Sequence, residues 1–545
     1  MKYILLSLLS SALLIYSFPH TGSFTPFVFI GFIPLLLLRA ELLQYNKKPI
    51  ILGIWSYLTF LIWNIGCTWW VANASMSGAI LAFTVNALLM TLVFGCWSWL
   101  DRKMTSGWSF WLLIPLWLLF EFGHHRWDLS WPWLSLGNYF ANRTGWIQWY
   151  EWTGTLGGSA WVLFLNLFVF KIILHFQANT LSRKYFIGLA ALIIIPIVAS
   201  QILLSFANYT ISKRRFLKAV VLQPNVDPYK EKFAADASNE AFTDSILGMA
   251  NRHVNAQTDL VMGPETALPL SFLEDRIYTF EFGRKLQDQI SKWPQANLLI
   301  GASTVKLFDS KQSAASTPIP NENQWYESYN TALLLCKKND PKYAHKSKLV
   351  PGVELVPFSA YLPFLSAIAI ENGGTSGTLG VEKTPKILEI TKQFEIDKFK
   401  HQSDHKIALA PIICYESIYG DFVRQQVQKG AQLLCVITND GWWGDTPGYK
   451  QHFAMARLRA IETRRWVLRS ANTGTSGSID PSGKIVKKTS YWTKTAFSQV
   501  IELRTDKTFY TKHGDWIAGL SISWILLACS NILMYKANQK RKSNA

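Results

Sequence analysis

Charged side chains are scarce in this chain. They make up 17% of its 545 residues, where soluble domains usually carry about 25%. That shortfall excludes a disordered or fibrous protein, and with 49% hydrophobic residues it argues against a purely soluble enzyme. Cysteine is sparse as well: six in so long a chain exclude a disulfide-stapled scaffold. No phosphate-binding loop of the Gly-rich Lys-Ser/Thr type occurs, and no His/Cys spacing suggests zinc, so neither a metal nor a diffusible cofactor is expected. Internal repeats and low-complexity tracts are lacking. Acidic residues are outnumbered, 36 against 54 basic ones, which leaves a net charge of +18. Such a balance fits nucleic acid or an anionic membrane surface. The 24 Trp and 20 Tyr favour the membrane, because aromatic belts form where bilayer meets water.

What is present in quantity is apolar sequence, and it falls in blocks. Spans are predicted at residues 2–17, 24–43, 50–71, 78–100, 108–122, 157–176, 185–206 and 516–535. Several approach the roughly 20 apolar residues that cross a bilayer core; the first and fifth are short. Lys and Arg in short loops set orientation. Arg39, Lys47 and Lys48 follow the second span, Arg102 and Lys103 the fourth, and Arg183 and Lys184 the sixth. Lys536, Lys540, Arg541 and Lys542 follow the last, whereas loops 18–23 and 72–77 hold no Lys or Arg. The alternation predicts cytoplasmic termini and an outer location for the long segment 207–515. The predicted domains are therefore a membrane region at 1–206, an extracytoplasmic domain at 207–515, a span at 516–535 and a basic cytoplasmic tail at 536–545. The net charge then needs no nucleic acid, since much of it sets topology. Loop 123–156 is external on this scheme and rich in aromatics, among them Trp127, Trp131, Trp133, Tyr139, Trp146, Trp149, Tyr150 and Trp152. It reads as an interfacial anchor or a lipid-access surface.

Past residue 218 short apolar runs alternate with amphipathic stretches, the pattern of an α/β domain. Strands are predicted at 218–223, 259–262, 297–303, 331–336, 407–413, 433–438 and 467–470, and helices at 239–255, 279–293, 417–428 and 449–464. The polar stretch 310–324 and the charged stretch 390–404 read as surface loops or hairpins. Polar residues just beyond apolar strands are the usual place for an α/β active site. Four such places stand out: Gly263-Pro264-Glu265-Thr266; Cys414-Tyr415-Glu416; Asn439-Asp440-Gly441-Trp442-Trp443; and the segment carrying Lys346, Lys348 and Glu354. Taken singly, each has a structural explanation: an inert buried thiol, a turn glutamate, a solvated lysine pair, an Asn-Asp-Gly turn.

Together, Glu265, Lys346 and Cys414 resemble the Glu–Lys–Cys triad of the nitrilase, or carbon–nitrogen hydrolase, superfamily. Pro264-Glu265-Thr266 is similar to its base motif, Ile413-Cys414-Tyr415-Glu416 to its nucleophile motif, and the stretch from Thr438 to Gly444 to the segment that follows. With many N-terminal spans and one C-terminal span, the whole chain resembles the apolipoprotein N-acyltransferase family. Gln223-Pro224-Asn225, Tyr329-Asn330, Gly448-Tyr449 and Gln451-His452 add to the likeness. It departs where the family usually has Phe-Gly-Glu: here Gly352-Val353-Glu354 follows Leu349-Val350-Pro351. Glu354 keeps its spacing, eight residues after Lys346, and that spacing selects Lys346 over Lys348.

The resemblance implies a multi-pass α-helical membrane region plus an αββα nitrilase-like sandwich in the bacterial inner membrane, with the sandwich on the periplasmic side. It implies Cys414 as nucleophile, Glu265 as general base, and Lys346 with the Tyr415 backbone N–H as oxyanion donors. Glu354 and Glu416 would orient Lys346. Trp442 and Trp443 become candidates for a lipid-facing wall, or else pack against neighbouring strands. The implied partners are a phospholipid acyl donor, a diacylated apolipoprotein acceptor and the bilayer, served by a monomer without cofactor. A membrane-tethered amidase or nitrilase that passes its acyl group to water, or a receptor with an inactive nitrilase-like fold, would share the same residues.

Overall fold

The computed structural model describes residues 1–104, 107–206, 215–234, 236–337, 339–362, 378–395 and 402–543. The expected boundary at 207, the tip of the charged 390–404 segment and the last two residues of the basic tail fall outside these. The chain divides into two compact units, one of Met1–Trp69, Ala79–Ser205 and His513–Ala545, the other of Trp70–Gly78 and Phe206–Lys512.

The first unit is helical: α1 (Lys2–Ser17), α2 (Ile33–Gln44), α3 (Pro49–Thr68), α4 (Met76–Lys103), α5 (Leu113–His124), α6 (Tyr150–Gln177), α7 (Arg183–Phe206) and, at the far end of the chain, α13 (Trp516–Ser543). Among the described residues, five helical segments are long and apolar enough to cross a membrane: Thr25–Gln44, Pro49–Asn73, Met76–Lys103, Tyr150–Gln177 and Arg183–Ser205. Lys2–Ser17, Ser109–His124 and Trp516–Asn531 are apolar but shorter. Irregular backbone among such helices needs internal partners, because hydrocarbon offers none. Asn166 supplies two where the tight turn Thr25–Phe29 enters α2, accepting from Phe32 N at 2.8 Å and donating to Val28 O at 2.8 Å. Glu121 does the same for the segment before α6, accepting from Leu136 N at 2.8 Å. The aromatic residues of 123–156, read as an interfacial anchor or a lipid-access surface, divide: Trp127 and Trp152 are exposed, and others turn inward. Trp133, Tyr139 and Tyr150 are fully buried, and Tyr139 donates its hydroxyl hydrogen to Leu14 O at 3.0 Å. The rings fill this unit's core, because compact turns at Pro132–Leu134 and Leu136–Phe140 fold them inward.

The second unit is built on two sheets. The strands of the first are β1 (Arg215–Gln223), β2 (Leu260–Met262), β3 (Leu268–Leu273), β4 (Asn297–Phe308), β5 (Thr317–Pro318), β6 (Trp325–Cys336), β7 (Asn339–His345) and β14 (Thr495–Leu503), in the order β14-β1-β2-β4-β6-β5, with β3 beside β4 and β7 beside β6. The second holds β8 (Leu388–Glu395), β9 (Gln402–Ile413), β10 (Leu433–Thr438), β11 (Trp466–Ala471), β12 (Gly477–Ile479) and β13 (Ile485–Lys488), in the order β13-β12-β11-β10-β9-β8. Both contain a parallel core, β1-β2-β4 and β9-β10-β11.

Alternation along the strands assigns the layers. Leu217, Ala219 and Val221 of β1 pack with Leu409, Leu433 and Cys435 of the other sheet, while Val220 and Leu222 point back toward Ile246, Leu286 and Ile290. Those last three sit on α8 (Asn239–Asn251) and α9 (Glu281–Lys292). The second sheet is accompanied by α10 (Gly420–Gln428) and α11 (Pro447–Thr463), and a short α12 (Phe509–His513) closes the unit. This is the αββα sandwich. Strands buried on both faces read as unbroken apolar runs, and the seven predicted strands are of that kind. The strands without a prediction are polar, short or at edges. Segment 390–404 supplies two arms of an antiparallel pair, Ile390 facing Ile407 and Glu395 facing Gln402.

Parallel strands end together, and their carboxyl ends carry the polar residues. Gly301 of β4 lets two of these ends approach: its N–H donates to Pro264 O at 2.9 Å. A Cβ there would lie 2.5 Å from the Glu265 Cα and also meet the Thr266 nitrogen. Main chain cannot swing aside as a side chain does, so Gly301→Ala should destabilise the domain by about 1–3 kcal/mol, the usual cost of overpacking. Thermal unfolding of the purified variant checks this; an unchanged melting temperature contradicts it.

Candidate active site

Cys414 sits where β9 turns into the tight helix Cys414–Ile418, with φ at +51°. A side-chain-bearing residue held in left-handed backbone costs of order 1–3 kcal/mol and needs outside support. Glu416 gives part of it. One of its oxygens accepts from Ile413 N at 2.8 Å; the other accepts from Ser347 N at 2.5 Å and Lys348 N at 3.3 Å. One buried carboxylate thereby ties the Cys414 turn to the Lys346 segment through main chain. Burial raises the Glu416 carboxyl to about 7 against the pull of those backbone donors.

Lys346 follows β7 and is 1% exposed. Its ammonium donates to Glu354 at 2.8 Å and lies 3.4 Å from Glu265. Burial alone would pull the lysine pKa down, but Glu354 and Glu265 outweigh it, so Lys346 stays protonated. Glu354 is held in turn by Val350 N at 2.9 Å. Lys348, the other lysine of the segment, places its ammonium over the Tyr419 ring at 5.2 Å. The spacing argument from Glu354 thus picks the lysine that meets the carboxylates.

Glu265 follows β2 by way of Gly263-Pro264 and is buried. Asn330, on β6, donates one amide group to both carboxylates, at 2.8 Å to Glu265 and 3.2 Å to Glu354. The Cys414 thiol is close enough to feel these charges. Burial and then Glu265 push it up, Lys346 pulls it down, and it rests as a thiol. The structure therefore brings Glu265, Lys346, Glu354, Glu416 and Cys414 to one set of strand ends. Tyr415 is buried beside them, its ring edge-on to Tyr419 at 5.3 Å. Trp442 and Trp443 lie in the turn after β10, both half-buried. Trp442 packs on Tyr229 and Phe233, and Trp443 on Trp70.

Two features escape the sequence reading. Lys232, 3% exposed, donates to the Glu265 carbonyl oxygen at 3.0 Å. Burial, opposed by Glu265 and Cys414, lowers its ammonium to about 7. Nothing in the polar run Tyr229-Lys230-Glu231-Lys232 distinguishes it in sequence. The second is a cluster of Asp440, His452 and Arg469, all fully buried; Asp440 and His452 belong to motifs quoted above, but their pairing spans twelve residues and no local pattern reports it. Among the described residues no group of His, Cys, Asp and Glu is arranged to hold a metal ion.

Comparison with known proteins bears on this geometry. Residues 221–505 match the family model described as carbon-nitrogen hydrolase. Residues 10–168 match that of the apolipoprotein N-acyltransferase N-terminal domain. An apolipoprotein N-acyltransferase of Chlorobaculum tepidum is 29% identical over 527 residues, covering 95% of this chain and 94% of that protein. One from Geobacter metallireducens is 25% identical, covering 94% and 92%. Among solved structures, Saccharomyces cerevisiae Nit3, a member of the nitrilase superfamily, is 14% identical with a TM-score of 0.33, covering 53% of this chain and 90% of its own.

Two outcomes follow from the charges. Lys232 is protonated in the unfolded chain up to about pH 10 but in the folded chain only to about pH 7. Between those values the unfolded state binds the extra proton, so this residue makes stability rise with pH and penalises the fold at neutrality. Lys232→Met should raise the melting temperature at pH 7 and shrink the gain between pH 7 and 9, while lowering activity. Separately, Glu265→Gln should move the pH midpoint for iodoacetamide alkylation of Cys414 downward, and Lys346→Met should move it upward, as read by mass spectrometry. Equal midpoints in both variants contradict the arrangement.

Proposed function

The chain belongs to the carbon–nitrogen hydrolase family, and from that membership we propose that it transfers a fatty acyl chain from a phospholipid to the N-terminal amine of the diacylglyceryl-cysteine of bacterial apolipoproteins. The observation that carries this reading is the buried ammonium of Lys346 between Glu354 and Glu265, beside Cys414. It stands on a chain that curated apolipoprotein N-acyltransferases match over more than nine-tenths of its length.

The reaction runs in two halves. Cys414 rests as a thiol, whereas the thiolate is the nucleophile, so proton removal accompanies attack. Glu265 takes the proton as the sulfur bonds to an ester carbonyl carbon of the phospholipid. Lys346 and the Tyr415 N–H receive the charge on the carbonyl oxygen; one such donor is typically worth about 10²–10³ in rate. The carbon–oxygen bond breaks, the alkoxide takes the proton from Glu265, and lysophospholipid leaves an acyl thioester on Cys414. In the second half the free α-amine of the lipoprotein attacks the thioester, the carbon–sulfur bond breaks, and the amine proton passes through Glu265 to the departing sulfur, which restores the thiol. Glu354 fixes Lys346 directly, and Glu416 fixes the main chain on either side. The exposed parts of Trp442 and Trp443 form a wall along which the acyl chain runs.

Membrane residence suits these substrates. Moving an acyl chain into water costs about 0.8 kcal/mol per CH₂, so a catalyst that meets both lipids at the bilayer avoids extracting either. The alternating basic loops support an outer, periplasmic location of residues 207–515 at the inner membrane. The protein acts as a monomer with its cytoplasmic tail at 536–545.

Intact mass spectrometry of the full-length protein after exposure to phospholipid alone tests this. An acyl adduct should appear on Cys414 and be absent from Cys414→Ser. Adding a diacylated lipopeptide should discharge it to triacylated peptide. Release of free fatty acid without triacylated peptide would instead establish a hydrolase.

A further inference from the structure

Beneath Cys414, on the side away from Lys346 and Glu265 in chain connectivity, lies the Asp440–His452–Arg469 cluster. Asp440 opens the turn two residues past β10, His452 sits in α11 and Arg469 in β11. Asp440 accepts from Thr438 Oγ1 at 2.8 Å and from Arg469 at 2.5 Å. Burial opposes its ionisation, but the Arg469 guanidinium and His452 outweigh that and hold the carboxyl well below the usual range. His452 Nδ1 lies 2.9 Å from both Asp440 and Arg469, and Nε2 lies 3.1 Å from the Cys414 carbonyl oxygen and 2.8 Å from Ser417 Oγ. Ser417 donates its own hydroxyl hydrogen to that carbonyl at 2.8 Å.

The partners fix where the imidazole hydrogen is. Nε2 faces the Cys414 carbonyl oxygen, which only accepts, and Ser417 Oγ, whose hydrogen goes to that same carbonyl; with the hydroxyl so turned, Nε2 is the donor, its hydrogen shared between the two oxygens. Burial and the Arg469 charge hold the imidazole below its ordinary pKa, so at neutral pH Nδ1 accepts from Arg469. A protonated ring would turn Nδ1–H toward Asp440 and leave Nε2–H where it is. In either state two hydrogens converge on one carbonyl.

That carbonyl belongs to the same planar unit as the Tyr415 N–H. Every peptide bond in the described residues is trans, so C=O and N–H point in opposite directions from one rigid plane. Gripping the oxygen from the buried side aims the N–H the other way. Hydrogen bonding at the oxygen also polarises the amide and strengthens its N–H as a donor, by about 10–30% per bond. We propose that His452 and Ser417 are positioning residues that aim the Tyr415 N–H at the developing oxyanion by holding the Cys414 carbonyl, with Asp440 and Arg469 fixing the imidazole. This rests on the reading of Cys414 as the acylated nucleophile. It explains why a buried charged cluster hydrogen-bonds the Cys414 main chain, and it explains how a cysteine with φ of +51° is kept in place.

The test compares two reactions of the same sulfur in full-length protein. Acylation by a dipalmitoyl phospholipid in mixed micelles develops an oxyanion; alkylation by iodoacetamide does not. His452→Leu, which removes the donor, should slow acylation at saturating lipid by about 10²-fold, the scale of losing an oxyanion donor. The lipid concentration giving half the maximal rate should stay within about threefold, and alkylation of Cys414 should stay within about threefold of wild type. His452→Gln, whose amide reaches as far as Nε2, should recover at least tenfold. Ser417→Ala should slow acylation about three- to tenfold. Parallel loss of both reactions, or acylation unchanged in His452→Leu, overturns the proposal. Should that variant not fold, unchanged acylation in Ser417→Ala overturns it. A wild-type protein that never acquires an acyl group on Cys414 refutes the proposed function instead, and is told apart by that control.

Discussion

Lys346 carries a full positive charge at a position water barely reaches, and Glu354 and Glu265 make that tenable. An isolated buried ion would neutralise itself by shifting its pKa. Here one cation faces two carboxylates, at 2.8 and 3.4 Å, with Asn330 donating to both. Removing one partner of such a set typically costs about 3–5 kcal/mol, because what remains is a charge without compensation. The same balance fixes the chemistry. Glu354, the closer carboxylate, holds the lysine still, while Glu265 stands a little farther off. The two glutamates are alike in type and differ by 0.6 Å in their approach to Lys346, and that difference separates a base from a brace in the proposed mechanism.

Main-chain strain is arranged around the same centre. Cys414, Thr266 and Asn225 all hold positive φ at strand ends, a conformation that side-chain-bearing residues disfavour. Each turn is tied by groups from elsewhere in the sequence. The Glu265 carbonyl beside Thr266 accepts from Lys232, the Cys414 carbonyl accepts from Ser417 and His452, and Asn225 N donates to Asn472 O at 3.0 Å. Parallel strands deliver these turns to one end of the sheets, as open α/β folds generally do.

Much of this was legible in sequence, and the divide is physical. Strand β10 is five apolar residues and Thr438, followed by Asn-Asp-Gly, so burial on both faces and the turn after it are written in composition. The kept spacing of eight residues from Lys346 to Glu354 singles out that lysine over Lys348. By contrast β7 reads Asn-Asp-Pro-Lys-Tyr-Ala-His; its strand state comes from pairing with β6, a tertiary contact that overrides weak local preference. Lys232 looks like any solvated lysine until the fold brings it against the Glu265 carbonyl. The aromatic residues of 123–156 advertise an interface by composition, yet Trp133, Tyr139 and Tyr150 are buried, because composition reports amphipathic rings and not which way a turn folds them. Positive φ at Cys414 has no sequence signature, since cysteine is not a residue that seeks it.

The two halves of the proposed reaction place unequal demands on this site. An α-amine titrates near 7.7–8.0, so roughly a tenth of the acceptor is already neutral at pH 7, and its attack needs little more than orientation and a place for one proton. The first half is different. The thiol is pushed up by burial and by Glu265, so the thiolate cannot be stored in advance and must be formed as the ester is attacked. Precise placement of base, ammonium and amide N–H therefore matters most for acylation. The groups fixed most firmly, Lys346 by Glu354 and the Cys414 carbonyl by His452 and Ser417, are those that serve that half. A site with its polar groups so committed has few left to activate water, and in this reading a neutral amine arriving in the bilayer plane is the nucleophile that needs no such help.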